Sequence, residues 1–145
     1  MKNGKFKEHG RLCWYLNDNL HREDGPAIEW KNGNRQWFLA GKFHRQDGPA
    51  CLCDGNSSWY SYNRLHREDG PAIEWANGSK QWYLNGLSHR EDGPAFDYVD
   101  GRKLWFLHGI QQTEEEFNQW LMKKTLNAKL QSILPPKPMT KRGKI

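Results

Sequence analysis

The chain has little aliphatic material for its length. Of 145 residues, 36 % are hydrophobic and mean hydropathy is −1.02, which argues against a thick two-layer core. No run approaches the roughly 20 apolar residues needed to cross a bilayer. The opening MKNGKFKEHGRL lacks the apolar stretch of a secretory signal. Only three cysteines occur, and two of them share Cys51-Leu52-Cys53. An odd, small number suits free thiols in a reducing compartment, so the expectation is a cytoplasmic protein without membrane contact. There is no Gly-Lys-Ser/Thr phosphate loop, no His-Glu-x-x-His and no Gly-x-Ser-x-Gly. No serine or cysteine recurs beside the repeated His and Asp. The expectation is therefore no catalytic set, no cofactor and no enzyme.

What the chain does have is aromatic area and repetition. It holds 8 Trp, 5 Tyr and 6 Phe, and each ring buries a large area. HREDGPAIEW stands at residues 21–30 and again at 66–75, with looser copies, HRQDGPACLC and HREDGPAFDY, starting at His44 and His89. The His-Arg dipeptides are spaced by 23, 22 and 23 residues. Trp-aromatic pairs at 14, 37, 59, 82 and 105 keep the same period. A fixed period of this length marks a repeat architecture.

Turn residues punctuate each unit. Asn32-Gly33, Asn77-Gly78 and Asp100-Gly101 favour two-residue hairpin turns. Second turns are expected at Ala40-Gly41, Asn85-Gly86 and His108-Gly109, and at Tyr62-Asn63-Arg64 in the odd unit. A two-residue turn at Asn32-Gly33 sets Ile28 opposite Trp37. Alternation then groups Ile28, Trp30, Trp37 and Leu39 on one face, with Ala27, Glu29, Gln36 and Phe38 on the other. The unit from Ala50 to Trp59 is one residue short. A three-residue loop at Asp54-Gly55-Asn56 restores its register and places Cys51 opposite Trp59.

The repeat ends near residue 112. Thr113 and Glu116 form a capping box. Phe117, Trp120, Leu121, Lys124, Leu126 and Leu130 read as an amphipathic helix to about Lys129 that covers the last hairpin. The organisation expected is a β-repeat domain over 1–112, a capping helix over 113–131 and a basic Pro/Lys tail over 132–145. Residues 1–112 carry 15 Lys/Arg against 14 Asp/Glu, while 113–145 carry 7 against 3. Any nucleic-acid contact therefore belongs to the tail.

The 23-residue period, the aromatic hairpins and the His-Arg-x-Asp-Gly-Pro-Ala phrase resemble a divergent MORN-like repeat, of a kind common in tailed-phage genomes. The resemblance covers about residues 10–112 and the closing Thr113–Phe117 segment. The usual His-Gly-x-Gly pattern is replaced here by His-Arg-Glu-Asp-Gly-Pro. The resemblance implies a mainly β fold: an elongated, single, twisted antiparallel sheet of about 23-residue MORN-like hairpins with a C-terminal capping α-helix. It also implies a phage protein in the host cytoplasm that binds a host protein, such as a defence component.

The repeated residues have two readings. His21, His44, His66 and His89 would stand roughly 10 Å apart, two strand spacings, too far to share a metal ion; packed or turn-bonded imidazoles are expected, and no metal site. Arg22 with Asp24, Arg45 with Asp47, Arg67 with Asp69 and Arg90 with Asp92 shape the Asp-Gly-Pro bend, or else form a row that meets a phosphate or carboxylate partner. Gln46 stands where Glu23, Glu68 and Glu91 stand elsewhere, so that position need not be charged. A specific contact needs departures from the repeat, which puts the expected partner surface at Cys51, Cys53, Trp59, Tyr60, Tyr62, Asn63 and Arg64. A protein partner leads. The alternatives are a nucleotide or other phosphorylated signal held by Arg, His and Trp, and nucleic acid held by the tail.

Overall fold

The computed structural model describes residues 1–136. The basic tail expected over 132–145, and any nucleic-acid contact through it, lies from residue 137 onward outside the described residues.

The fold is mainly β, one open antiparallel sheet of hairpins with a single C-terminal helix. Eleven strands follow one path in chain order: Gly4–Glu8, Arg11–Leu16, Ile28–Trp30, Arg35–Gln36, Cys51–Cys53, Asn56–Ser58, Ile73–Glu74, Lys80–Gln81, Phe96–Asp97, Lys103–Leu107 and Ile110–Gln112. Asn19–Leu20 adds to the flank of Arg11–Leu16. After Trp37, Trp59 and Trp82 the chain leaves the main sheet. It forms a small ribbon at Phe38–Leu39/Lys42–Phe43, Tyr60–Ser61/Arg64–Leu65 and Tyr83–Leu84/Leu87–Ser88. Each unit is thus one sheet hairpin and one side hairpin.

The register differs from the expected one by a residue. Ile28 pairs with Gln36, not Trp37. Trp30 N–H donates to Asn34 O at 3.0 Å, and Gly33 N–H to Trp30 O at 3.1 Å. The loop therefore has three residues, Lys31-Asn32-Gly33. Only Gly33 is left-handed, at φ +91°, while Asn32 uses its side chain to accept the Asn34 N–H at 3.1 Å. This is a turn followed by a glycine bulge. The loops at Asn77-Gly78 and Asp100-Gly101 repeat it, with Trp75 bonded to Ser79 and Tyr98 to Arg102.

The odd unit is corrected in the opposite sense. Cys51 pairs with Ser58 and Cys53 with Asn56, so Asp54-Gly55 is a two-residue turn, with both residues left-handed at φ +52° and +78°. The missing residue is still absorbed in the loop, and Cys51 still occupies the place of Ile28. The second turn here is Tyr62-Asn63, with Arg64 already in a strand.

A one-residue shift changes faces. Ile28, Trp30, Gln36 and Phe38 share one face; Glu29, Arg35, Trp37 and Leu39 share the other. The pairings join Phe6, Cys13, Ile28, Gln36, Cys51, Ser58, Ile73, Gln81, Phe96 and Leu104 into one row across the sheet. Here the fullest packing is at the N-terminal end, where Cys13, Ala27, Ile28 and Phe38 are buried against Tyr15, Leu20, Trp30 and Phe43. Phe43 bridges Phe38 and Tyr60, at centroid distances of 4.2 and 5.0 Å. The adjacent row on the opposite face has Glu29 beside Arg35, then the uncharged Leu52 and Ser57, then Glu74, Lys80, Asp97 and Lys103 in alternating charge.

The helix runs over Glu114–Ile133, beyond the expected Lys129. Thr113 and Glu116 exchange the two bonds of the capping box, at 2.7 and 3.1 Å, and three glutamates complement the first turn. Phe117 is its only buried side chain among the described residues, and the helix touches the last two strands. Met122, Leu126 and Leu130 are exposed, so the apolar stripe does not cover the sheet along its length. Among the described residues no helix is long and apolar enough to cross a membrane.

Candidate functional site: a ridge of repeated loops

The four His-Arg-x-Asp-Gly-Pro-Ala segments form successive loops along the sheet, and each residue type has a visible task. His21, His66 and His89 accept the backbone N–H of Ala40, Asn85 and His108 through Nδ1, at 3.0, 3.0 and 2.9 Å. The imidazole thus ties its loop to the side turn of the next unit. The unprotonated Nδ1 leaves Nε2–H facing Glu23, Glu68 or Glu91, 3.5–3.6 Å away. His44 breaks the pattern: its buried Nδ1 has no hydrogen-bond partner, and Tyr62 stacks on the ring at 4.0 Å.

The arginines face inward. Each guanidinium lies over the Trp of its own unit: Arg22 on Trp14, Arg45 on Trp37, Arg67 on Trp59 and Arg90 on Trp82, at 3.8–4.1 Å. Its Nε donates to Asp24, Asp47, Asp69 or Asp92 at 2.6–2.9 Å. Its Nη1 donates to the carbonyl of Pro26, Pro49, Pro71 or Pro94 at 3.1–3.3 Å. Arg22 and Arg67 also reach Glu29 and Glu74. A Cβ on Gly25, Gly48, Gly70 or Gly93 would stand 2.8–3.1 Å from the Arg Cζ. Glycine here clears space for a flat cation held between backbone and indole. The following Ala27, Ala50, Ala72 and Ala95 are each fully buried, leaving no room for a larger side chain.

The groups facing water are carboxylates. The Asp24, Asp47, Asp69 and Asp92 side chains are 83–86 % exposed, against 22–24 % for their arginines. Hydrogen bonds from the arginines, and then their charge, hold Asp24, Asp47 and Asp69 below the usual carboxylate range. Glu23 and Glu68 are equally exposed. Glu91 pairs with Lys124 of the helix, whose hydrogen bond pulls its pKa down. The sequence pattern did not flag this tie between cap and last loop.

Three open clefts lie between successive loops, of about 600, 690 and 730 Å³. The first and third have Trp37 with Leu39, and Trp82 with Leu84, on their floors. The middle one has Trp59, Tyr60 and Ser61, with Gln46 at its rim. Trp59 and Tyr60 are among the residues expected at a partner surface, whereas Trp37 and Leu39 are not, because the expected register sets both on the face of Ile28.

The seven residues expected as a partner surface do not all lie on one face of the sheet. Cys51 and Cys53 lie on the row face of the sheet, and Tyr60 follows on that face against Phe43. Trp59 lies on the opposite face under Arg67, as Trp14, Trp37 and Trp82 lie under their arginines. Tyr62, Asn63 and Arg64 stand at a side-hairpin tip, where Asn63 Oδ1 accepts the Phe43 N–H at 2.7 Å. The free thiols expected at 51 and 53 are also corrected: these cysteines are joined as a disulfide, and Cys13 is free and buried. Among the described residues no group of three or more His, Cys, Asp and Glu could hold a metal ion. Comparison with known proteins finds no matching family, no matching curated protein and no matching solved structure.

Proposed function

We propose that this chain is a non-enzymatic binding protein whose loop ridge holds an extended, cationic segment of a protein partner. The observation that carries the reading is the outward set of aspartates above the inward, indole-stacked arginines. Loops 21–26, 66–71 and 89–94 each hold one more carboxylate than cation, and only Gln46 neutralises the second loop. Between them the clefts offer an apolar floor for an aliphatic stem and a carboxylate rim for its charged head. Two strand spacings put successive clefts roughly 10 Å apart, about three residues of a polyproline II chain, which turns the same face to the loops at every third residue. A peptide with Lys or Arg at every third position matches that pitch.

The MORN-like resemblance supports a phage origin and a bacterial host partner, which belong to this proposal. A nucleotide signal is less well served, because the arginines that would pair its phosphate already bond Asp and Pro groups.

The test uses fluorescent peptides carrying Lys or Glu at every third position, measured by anisotropy at low and high salt. The lysine peptide should bind and weaken as salt rises. The E23Q/E68Q variant should bind it less tightly while melting like the parent, because Gln46 already serves the second loop. Equal binding of the glutamate peptide, or unchanged affinity in E23Q/E68Q, refutes the reading.

A further inference from the structure

We propose that Cys51 and Cys53 form a redox-active pair, cycling between disulfide and dithiol by exchange with small-molecule thiols. The two lie two residues apart on one strand and one face, with Cα atoms 6.0 Å apart. That separation lies within the range a disulfide spans, so the bond can open and close without moving the strand. The cross-link encloses only Leu52. A loop this short removes little unfolded-state entropy, so the bond is a poor structural staple. Cys51, Leu52 and Cys53 are half-buried, whereas Cys13, in the same row, is fully buried.

The surroundings suit exchange. The partner strand places Ser58 opposite Cys51 and Asn56 opposite Cys53. On the other side, Gln36 Nε2 lies 3.6 Å from Cys51 Sγ and 3.5 Å from Cys53 Sγ, as donor to both. In the other units, Ile28 and Trp30, Ile73 and Trp75, and Phe96 and Tyr98 occupy the two cysteine positions. The odd unit exchanges bulky apolar cover for two sulfurs with an amide donor between them.

The chemistry balances with a thiol as reductant. A small thiolate attacks one cysteine sulfur, and the Sγ–Sγ bond breaks. The electron pair passes to the other sulfur, where the Gln36 amide stabilises the thiolate before it takes a proton. A second small thiolate then attacks the mixed disulfide, releasing the small disulfide and the second protein thiol. Two electrons have moved from two small thiols to the protein. The reverse sequence restores the bond.

The test equilibrates the full-length protein in buffers of graded reduced-to-oxidised glutathione ratio. Free thiols are then trapped by alkylation and counted by intact-mass spectrometry under native conditions. Two adducts should appear together, at Cys51 and Cys53, at a ratio inside the titration, with Cys13 unmodified. C51S and C53S should each abolish the paired step and instead gain a single glutathione adduct under oxidising conditions. Q36L should slow exchange about five-fold, the worth of one hydrogen bond, with an unchanged circular dichroism spectrum. Independent alkylation of the two cysteines at every ratio overturns the proposal. So does a bond that stays closed in the most reducing buffer.

Discussion

Arg67→Ala is the sharpest probe of how the repeat is held together. In the parent, the Arg67 guanidinium lies 4.0 Å from the Trp59 ring centroid and donates to the Pro71 carbonyl at 3.1 Å. Its side chain is 22 % exposed, so both contacts are largely shielded. The cation–π contact is worth about 1 kcal/mol at such a site. The hydrogen bond from a charged donor adds about 1.5–3 kcal/mol. No stability is assigned to the exposed Asp69 carboxylate. The expected loss is about 3 kcal/mol, or roughly 10 °C in Tm for a chain of this size. Differential scanning calorimetry measures Tm, and amide exchange should show faster exchange at the Trp59 N–H, which donates to Ala72 O. Arg67→Lys should recover little, because an ammonium keeps the charge but not the planar fork. Gly70→Ala should give a smaller loss of the same kind by displacing the guanidinium from the indole. Asp69→Asn should change Tm least. An Arg67→Ala protein melting within about 2 °C of the parent refutes the clamp.

Two further outcomes follow from single side chains. His89 is 5 % exposed, and burial, then the nearby His108, lowers its pKa, while Glu91 acts against them and Lys124 with them. The unfolded state therefore takes up the proton first, so stability should be full above about pH 6.5 and fall as pH drops below it; Tm measured from pH 7.5 to 5 should show the decline, and His89→Asn should flatten it. Phe117 is 2 % exposed whereas Leu126 is 58 % exposed; Phe117→Ala should cost about 3–5 kcal/mol and Leu126→Ala less than about 0.5 kcal/mol, read by urea unfolding at 222 nm.

Much of the fold was legible because it is periodic. The spacing of His-Arg and Trp-aromatic pairs marks the units, Gly and Asn mark the turns, and Thr113 with Glu116 marks the helix start. Turn length was harder to read. Asn32-Gly33 and Asp54-Gly55 look alike as dipeptides, yet the first closes a three-residue loop and the second a two-residue one. The choice depends on whether the residue before glycine itself turns left-handed. Asp54 does, at φ +52°, while Asn32 caps the turn with its side chain. One residue of loop moved Trp37 to the opposite face, and with it the floor of every cleft.

By itself the sequence determined the number of units and the places where the chain turns. Those follow from local preference and repetition, which need no knowledge of distant contacts. Only the tertiary structure decided which face each Trp takes, that Arg67 turns inward while Asp69 faces water, and that Cys51 meets Cys53 beside Gln36. These depend on the register between strands, which is set by loop geometry and by packing across hairpins up to twenty residues apart.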